Sequence, residues 1–256
     1  MSLQVTPLRA ALGATVERLD ADALDATTQA ELRQALLAHK VLFFPGQHLT
    51  TDQQVALGSV FGRLEATTES GADHRQQLTV EGHDEVLVLD SIERPSRADA
   101  WHADVTFAEA PPMGALLSMQ VCAPSGGDTI WANAERAYAE LSPAIKRALE
   151  GLTATHGRPG LTAQASHPVV QLHPETGKPV LFVNRGWTSR IDGMSHHEST
   201  HLLALLFDHM ERPEYTVRWS WSEGDAALWD NRCTLHYAIW DYGTEHRRIH
   251  RVAIYD

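Results

Sequence analysis

Only two cysteines occur in 256 residues, Cys122 and Cys233, in unrelated surroundings. That excludes a disulfide framework and argues against a cysteine-built zinc site; two reduced thiols in a cytoplasmic protein are the expectation. No apolar run approaches the roughly eighteen residues that a membrane span needs, and Met1 to Arg9 contain no apolar signal core. Blocks of Lys or Arg are missing too. Acids outnumber Lys and Arg 33 to 21, for a net charge of −12. Nucleic acid and anionic membrane both call for a basic patch, so neither is an expected partner. With no repeat and no linker, the chain reads as one domain over residues 1–256, long enough to bury a core without crosslinks.

What is present is a succession of short apolar strands with a few helices. Short strands are expected within 3–20, then a helix opening at Asp25 with Thr27 or Thr28 as cap and Leu32, Leu36 and Leu37 as its apolar stripe. Val41–Phe44 reads as a buried strand ended by Pro45-Gly46, and Thr50 or Thr51 starts a second helix toward Phe61. Residues 63–83 read as a long loop, 86–89 and 114–122 as strands, and 134–150 as helical with a fresh start at Ser142-Pro143. After a loop at 157–166 come a hairpin (169–172 with 180–183), a helix from Ser195 to Met210 with Glu198 completing its capping box, and strands at 216–221, 226–229 and 251–255. The pattern predicts a mainly β (α+β) fold, a β-sandwich or jelly roll with added helices.

The chemistry centres on Trp101-His102-Ala103-Asp104-Val105-Thr106-Phe107. On an extended strand alternate residues share a side, which would let His102 and Asp104 converge on one point. An imidazole and a carboxylate so placed are two thirds of the 2-His-1-carboxylate triad that holds Fe(II) with positions left open. His236 is a candidate third ligand, with His250, His246 and His173 as rivals on composition, since the chain has fifteen histidines. Near the C-terminus, Arg247 and Arg251 stand four apart, on the same side of an extended strand. Two guanidiniums facing one way suit either a solvated face pairing with acids or an anchor that grips anions bidentately.

Four motifs occur in order: Trp-His-x-Asp-Val-Thr-Phe at 101–107, Gly126-Gly-Asp-Thr-Ile-Trp131, His173-Pro-Glu-Thr-Gly177 and Trp229-Asp-Asn-Arg-x-Thr-x-His236. Together they resemble the TauD/TfdA family of Fe(II)- and 2-oxoglutarate-dependent dioxygenases, from about Leu32 to the C-terminus. The resemblance implies a double-stranded β-helix (jelly-roll) core with flanking helices. It makes His102, Asp104 and His236 the iron ligands, Thr129 and Arg247 the 2-oxoglutarate residues, and Arg251 and Trp187 the substrate contacts. Arg248 is a rival for the cofactor role because the double Arg leaves the register ambiguous by one.

The activity implied is hydroxylation of a C–H of a small anionic substrate by O2, with 2-oxoglutarate converted to succinate and CO2. The substrate classes are sulfonate, sulfate ester or aryloxyalkanoate, and a homo-oligomer is expected. Asp104 argues against a halogenating variant, which needs that position empty. Taurine itself is disfavoured: the 63–83 stretch lacks the His/Tyr arrangement of taurine-specific members, Ala98 replaces their Asn, and 156–167 is shorter than the family's insertion. The alternative class is a non-catalytic or zinc-holding jelly roll, which would need the three ligands but neither Thr129 nor the arginines.

Overall fold

Alternation along a few strands decides how this chain layers. The structure, a computed structural model, describes residues 3–65, 78–93, 98–158 and 163–256. In chain order it runs β1 (Gln4–Pro7), β2 (Ala14–Glu17), α1 (Ala26–His39), β3 (Val41–Phe44), α2 (Thr51–Ser59), β4 (Arg63–Leu64), β5 (Thr79–Val80), β6 (His83–Asp90) and β7 (Gly114–Val121). There follow β8 (Thr129–Asn133), α3 (Ala134–Ala139), α4 (Pro143–Leu149), β9 (Thr153–His156), β10 (Ala165–Pro168), β11 (Val170–Leu172), β12 (Pro179–Leu181) and β13 (Thr188–Ile191). The remainder is α5 (His196–Met210), β14 (Thr216–Trp219), β15 (Ala226–Asp230), β16 (Thr234–Ala238) and β17 (Arg248–Tyr255).

The larger sheet has the order β1-β2-β3-β15-β7-β17-β6-β5, with β4 also on β17, and a smaller sheet has the order β14-β8-β16. Successive side chains on a strand point to opposite faces. Phe43, Leu117, Ala227, Trp229 and Ile249 therefore meet Trp131 and Val217 of the smaller sheet, while Leu42, Phe44, Leu116, Leu228 and Val252 meet Leu32, Leu36 and Leu57 of α1 and α2. On its other face the smaller sheet offers Ala132 and Leu235, covered by Leu203 and Leu206 of α5. Two facing sheets with outer helices are the β core that the sequence predicts. The inner layer ends in His236, whose partner across β8 is Trp131.

Helix starts mostly follow the local chemistry. Thr50 with Gln53 and Ser195 with Glu198 close capping boxes, and Ser142 caps the helix that begins at Pro143. The predicted cap of α1 is corrected. Asp25, with its extended backbone, accepts from Thr28 N at 2.8 Å, and Thr27 and Thr28 already lie inside the helix. The stretch 134–150 divides into α3 and α4 where Ser142-Pro143 restarts the turn. The ends of the expected 63–83 loop are strands, because β4 pairs with β17 and β5 with β6; its residues 66–77 lie outside the described residues. The expected 157–166 loop gives way to β10 at Ala165, paired to β9, and residues 159–162 are again outside the description. β17 starts at Arg248, earlier than predicted, because it fills the gap between β6 and β7.

Candidate metal and co-substrate site

The His-x-Asp segment is not the extended strand that spacing suggested. Only His102 pairs, in an isolated bridge: His102 N donates to His236 O (3.0 Å), and His236 N donates to His102 O (2.7 Å). The chain then turns through 104–107, with Val105 at a φ of 55°. Left-handed backbone is strained for a β-branched residue, so the surroundings must hold it. Asn231, buried just after β15, accepts from Asp104 N (2.7 Å) and donates to the carbonyls of Asp104 and Pro112 (both 3.0 Å). One residue beyond Val105, the Thr106 hydroxyl lies 2.9 Å from His156 Nδ1 and accepts from Asn184 (3.1 Å), while His167 donates to the Thr106 carbonyl (2.9 Å). The turn, and not an alternation, brings the two ligands together.

Asp104 Oδ1 lies 3.8 Å from both His102 Nε2 and His236 Nε2, and one donor atom from each residue falls within 4.8 Å of the others. His102 Nδ1–H donates to Ala100 O at 2.7 Å, which leaves Nε2 as the lone-pair nitrogen facing the carboxylate. Burial pushes the His236 imidazole down to about 3, and neighbouring His102 adds to that. Burial also pushes the Asp104 carboxyl upward, yet the charge of Arg251 and the facing imidazoles more than offset it and hold the group well below the usual carboxylate range. A neutral imidazole, a lone-pair nitrogen and an ionised carboxylate at this spacing fit a divalent iron.

The two arginines both turn inward but meet different partners. Arg251 Nη2 stands 2.9 Å from Asp104 Oδ2. Arg247 is held at its backbone, where its N donates to Ser91 Oγ (2.9 Å) and its O accepts from Ser91 N (3.0 Å). Its guanidinium is largely buried beside the Tyr242 ring, its Nε has no hydrogen-bond partner, and among the described residues no acid pairs with it. It borders a cavity of about 90 Å³ lined also by Asp90, Ser91, Ala98, Ile239 and Tyr242, with Asp90 paired to His246 and Arg248. An arginine stays charged wherever it is put, so a buried one without an acid calls for an anion from outside the chain. Gly127 makes the room: a Cβ there would come within 3.0 Å of Arg247 Nε. Thr129 is buried nearby on β8, and its Oγ1 accepts from Trp221 Nε1 at 3.0 Å, which leaves its own proton for a ligand.

The other sequence candidates go elsewhere. Arg248 faces Asp90 (3.6 Å) and Glu93 (3.5 Å), His246 bonds Asp90 (2.9 Å), and His173 bonds Asp230 (2.9 Å). His250 is half-buried on β17, opposite Val88 and Ser118 of the flanking strands, and its carbonyl also accepts from Gln54 (3.1 Å). Trp187 packs edge-on against Phe107 (4.8 Å between ring centres), and the Arg158 guanidinium carbon stands 4.7 Å from the Trp187 ring centre. Sequence reasoning missed Gly186, Arg158 and the clamping by Asn231. Gly186 lies so close to the site that a Cβ would stand 2.7 Å from His102 Cβ. Of these only Asn231 stood inside a recognised motif.

A second group of donors, His173, Asp230 and Cys233, is also close enough to hold a metal. Its lone pairs are taken. His173 Nδ1 accepts from Glu175 N and Thr176 N (both 3.2 Å), which puts the proton on Nε2 for Asp230; Arg232 grips the same carboxylate at 2.8 and 2.9 Å. Burial raises the Cys233 thiol well above its usual value.

The sequence model of the family described as taurine catabolism dioxygenase TauD, TfdA family matches residues 4–253. The chain belongs to the TauD/TfdA dioxygenases. Among its relatives within that family, an alkylsulfatase of Acinetobacter baylyi is 37% identical over 98% of this chain and 84% of the relative. An alpha-ketoglutarate-dependent sulfate ester dioxygenase of Pseudomonas putida is 37% identical over 99% of this chain and 90% of the relative. The crystal structure of a taurine dioxygenase from Burkholderia xenovorans superposes with a TM-score of 0.88 at 37% identity, covering all of this chain and 91% of that one. This TauD/TfdA chain is a 2-oxoglutarate-dependent non-haem iron dioxygenase with a jelly-roll core.

Proposed function

We propose that His102, Asp104 and His236 hold Fe(II), that Arg247 and Thr129 bind the distal carboxylate of 2-oxoglutarate, and that Arg251 and Trp187 border the substrate. The observation that carries this reading is Arg247, a half-buried guanidinium whose buried Nε has no partner and which no acid pairs among the described residues, beside a cavity. A zinc-holding jelly roll has no use for that charge. Iron and 2-oxoglutarate, when bound, supply the oxidation by O2 that places a hydroxyl on a substrate C–H and releases succinate and CO2. The protein's share is geometry. Asn231 and the Thr106 cluster set the position of Asp104, the Ala100 carbonyl sets the tautomer of His102, and Arg251 neutralises the Asp104 oxygen that faces it.

The substrate class is a small organic anion, and a sulfate ester is favoured over a sulfonate or aryloxyalkanoate. The support is the identity, 37% over almost the whole chain, to the alkylsulfatase and the sulfate ester dioxygenase, against 32% to an (S)-phenoxypropionate/alpha-ketoglutarate-dioxygenase of Delftia acidovorans. A carbon bearing both hydroxyl and sulfate falls apart to aldehyde and inorganic sulfate. The reading includes one domain over 1–256, a cytoplasmic location, in keeping with its two unpaired cysteines, and a homo-oligomer. Among the described residues no helix is long and apolar enough to cross a membrane.

The test is anaerobic addition of Fe(II) and 2-oxoglutarate, followed by turnover over a panel of alkyl sulfates, sulfonates and aryloxyalkanoates. A weak visible charge-transfer band and succinate formed in step with sulfate release are expected. A chain that binds the metal but shows neither band nor 2-oxoglutarate consumption would return the zinc-holding alternative.

A further inference from the structure

Helix α5 opens with Ser195-His196-His197-Glu198-Ser199-Thr200-His201. The run from His197 to His201 has the order His-Glu-x-x-His, which on a helix puts two imidazoles on one face, one turn apart. The structure forms that pair. The rings of His197 and His201 lie 4.3 Å apart between centres, inclined by 34°, and both residues are exposed. His201 Nδ1–H donates to the His197 carbonyl at 2.8 Å, so its Nε2 carries the lone pair. Nitrogens bound to one transition-metal ion at about 2.0–2.1 Å stand roughly 3 Å from each other. Rings already 4.3 Å apart need only converge at one edge.

We propose that His197 and His201 form a second metal site, a two-imidazole chelate for Cu2+, Ni2+ or Zn2+ that is separate from the iron triad. The donor type decides the ligand class: imidazole suits these ions and does not suit Mg2+ or Ca2+. Three features set its character. Glu198 is occupied, because its carboxylate accepts from both Ser195 N (3.0 Å) and Ser195 Oγ (2.7 Å) to cap the helix. Among the described residues no third His, Cys, Asp or Glu joins the pair, so water completes the shell. The positive end of the helix dipole lies close by, with Glu198 offsetting it. The site is consequently weaker than the triad and exchanges its ion readily. Total metal in the protein then exceeds active-site metal whenever these ions are in excess.

The experiment is equilibrium dialysis of the untagged full chain against Ni2+, repeated with Cu2+, with bound metal measured directly. Two sites per chain are expected in the wild type, the weaker binding Cu2+ more tightly than Ni2+. Loss of even a partner that only orients a ligand costs about 10–100-fold in metal affinity, so His197→Ala and His201→Ala should each abolish the weaker site or weaken it at least about tenfold. His196→Ala should leave both sites in place, and Asp104→Ala should remove only the stronger. All the histidines changed are exposed, and thermal melting checks the fold. One bound metal in the wild type, or a weaker site that survives both His197→Ala and His201→Ala, would overturn the proposal.

Discussion

Among the described residues two groups of His, Asp and a third donor lie close enough to share a metal, and only one leaves its imidazole lone pairs open. In His102–Asp104–His236 the imidazole nitrogens face a carboxylate with nothing bridging them, 3.8 Å away on each side. In His173–Asp230–Cys233 the same residue types are saturated: Asp230 is held by His173 and by Arg232, and the thiol is kept protonated by burial. Proximity of donors is thus no guide by itself. What separates a metal site from a structural knot is whether other partners have already taken the lone pairs.

Removing one member of each group is the sharpest way to break that contrast. Asp104→Ala should abolish turnover and iron binding while the thermal melt stays cooperative. Asp230→Ala should leave iron stoichiometry at one, yet cost about 3–5 kcal/mol, because it removes the buried carboxylate that both His173 and Arg232 grip; urea denaturation and metal analysis read the two effects. Loss of iron in Asp230→Ala would erase the distinction. The next effect in size concerns acid. His156 supports the Asp104 turn, and burial, with His167 beside it, pushes its imidazole from the ordinary 6.5 down to about 3. Between those values the unfolded chain binds more protons, so stability falls as the pH drops through that window, on the order of 4–5 kcal/mol in full. Denaturation of the metal-free chain at pH 7 and pH 4.5 should show the loss, and His156→Gln should lessen it, leaving the share that buried His236 contributes in the same window.

Smaller effects test the open charge against the paired ones. Arg247→Ala removes charge-assisted bonds worth about 1.5–3 kcal/mol and should raise the KM for 2-oxoglutarate by roughly one to two decades. Gly127→Ala, which needs left-handed backbone and crowds Arg247 Nε, should move the same constant less. Arg251→Ala should chiefly raise substrate KM and the 2-oxoglutarate wasted per product. Arg248→Ala, which loses its ion pairs to buried Asp90 and exposed Glu93, should change the 2-oxoglutarate constant little. Steady-state kinetics with each co-substrate varied in turn orders the four; a larger 2-oxoglutarate defect in Arg248→Ala than in Arg247→Ala would reverse the assignment.

Periodicity made the layers legible. Val41–Phe44, 114–122 and 226–229 read as buried strands, and Ser195 with Glu198 announced α5. It failed where tertiary contacts override local pattern. Thr153–His156 and Thr188–Ile191 are short polar strands that exist because they pair with one another. The donor triad was legible as residue types and as a family resemblance, but its geometry was not. Val105 carries no sequence sign of a left-handed turn, and the clamp that holds it comes from Asn231, more than a hundred residues away. Arg247 against Arg248 was likewise beyond the sequence, since a one-residue register shift at the start of β17 decides which guanidinium enters the interior.

The contact of Gly186 with His102 bears on how the pocket can change over generations of variants. The neighbouring Trp187 packs against Phe107 and Arg158, so replacing it changes the local surface. At Gly186 any side chain must displace His102, because its first carbon would already overlap the Cβ of that residue. A library that randomises both positions should return working clones with many residues at 187 and almost only glycine at 186. The proposed substrate border is then free to vary on one side of that peptide bond and is frozen on the other.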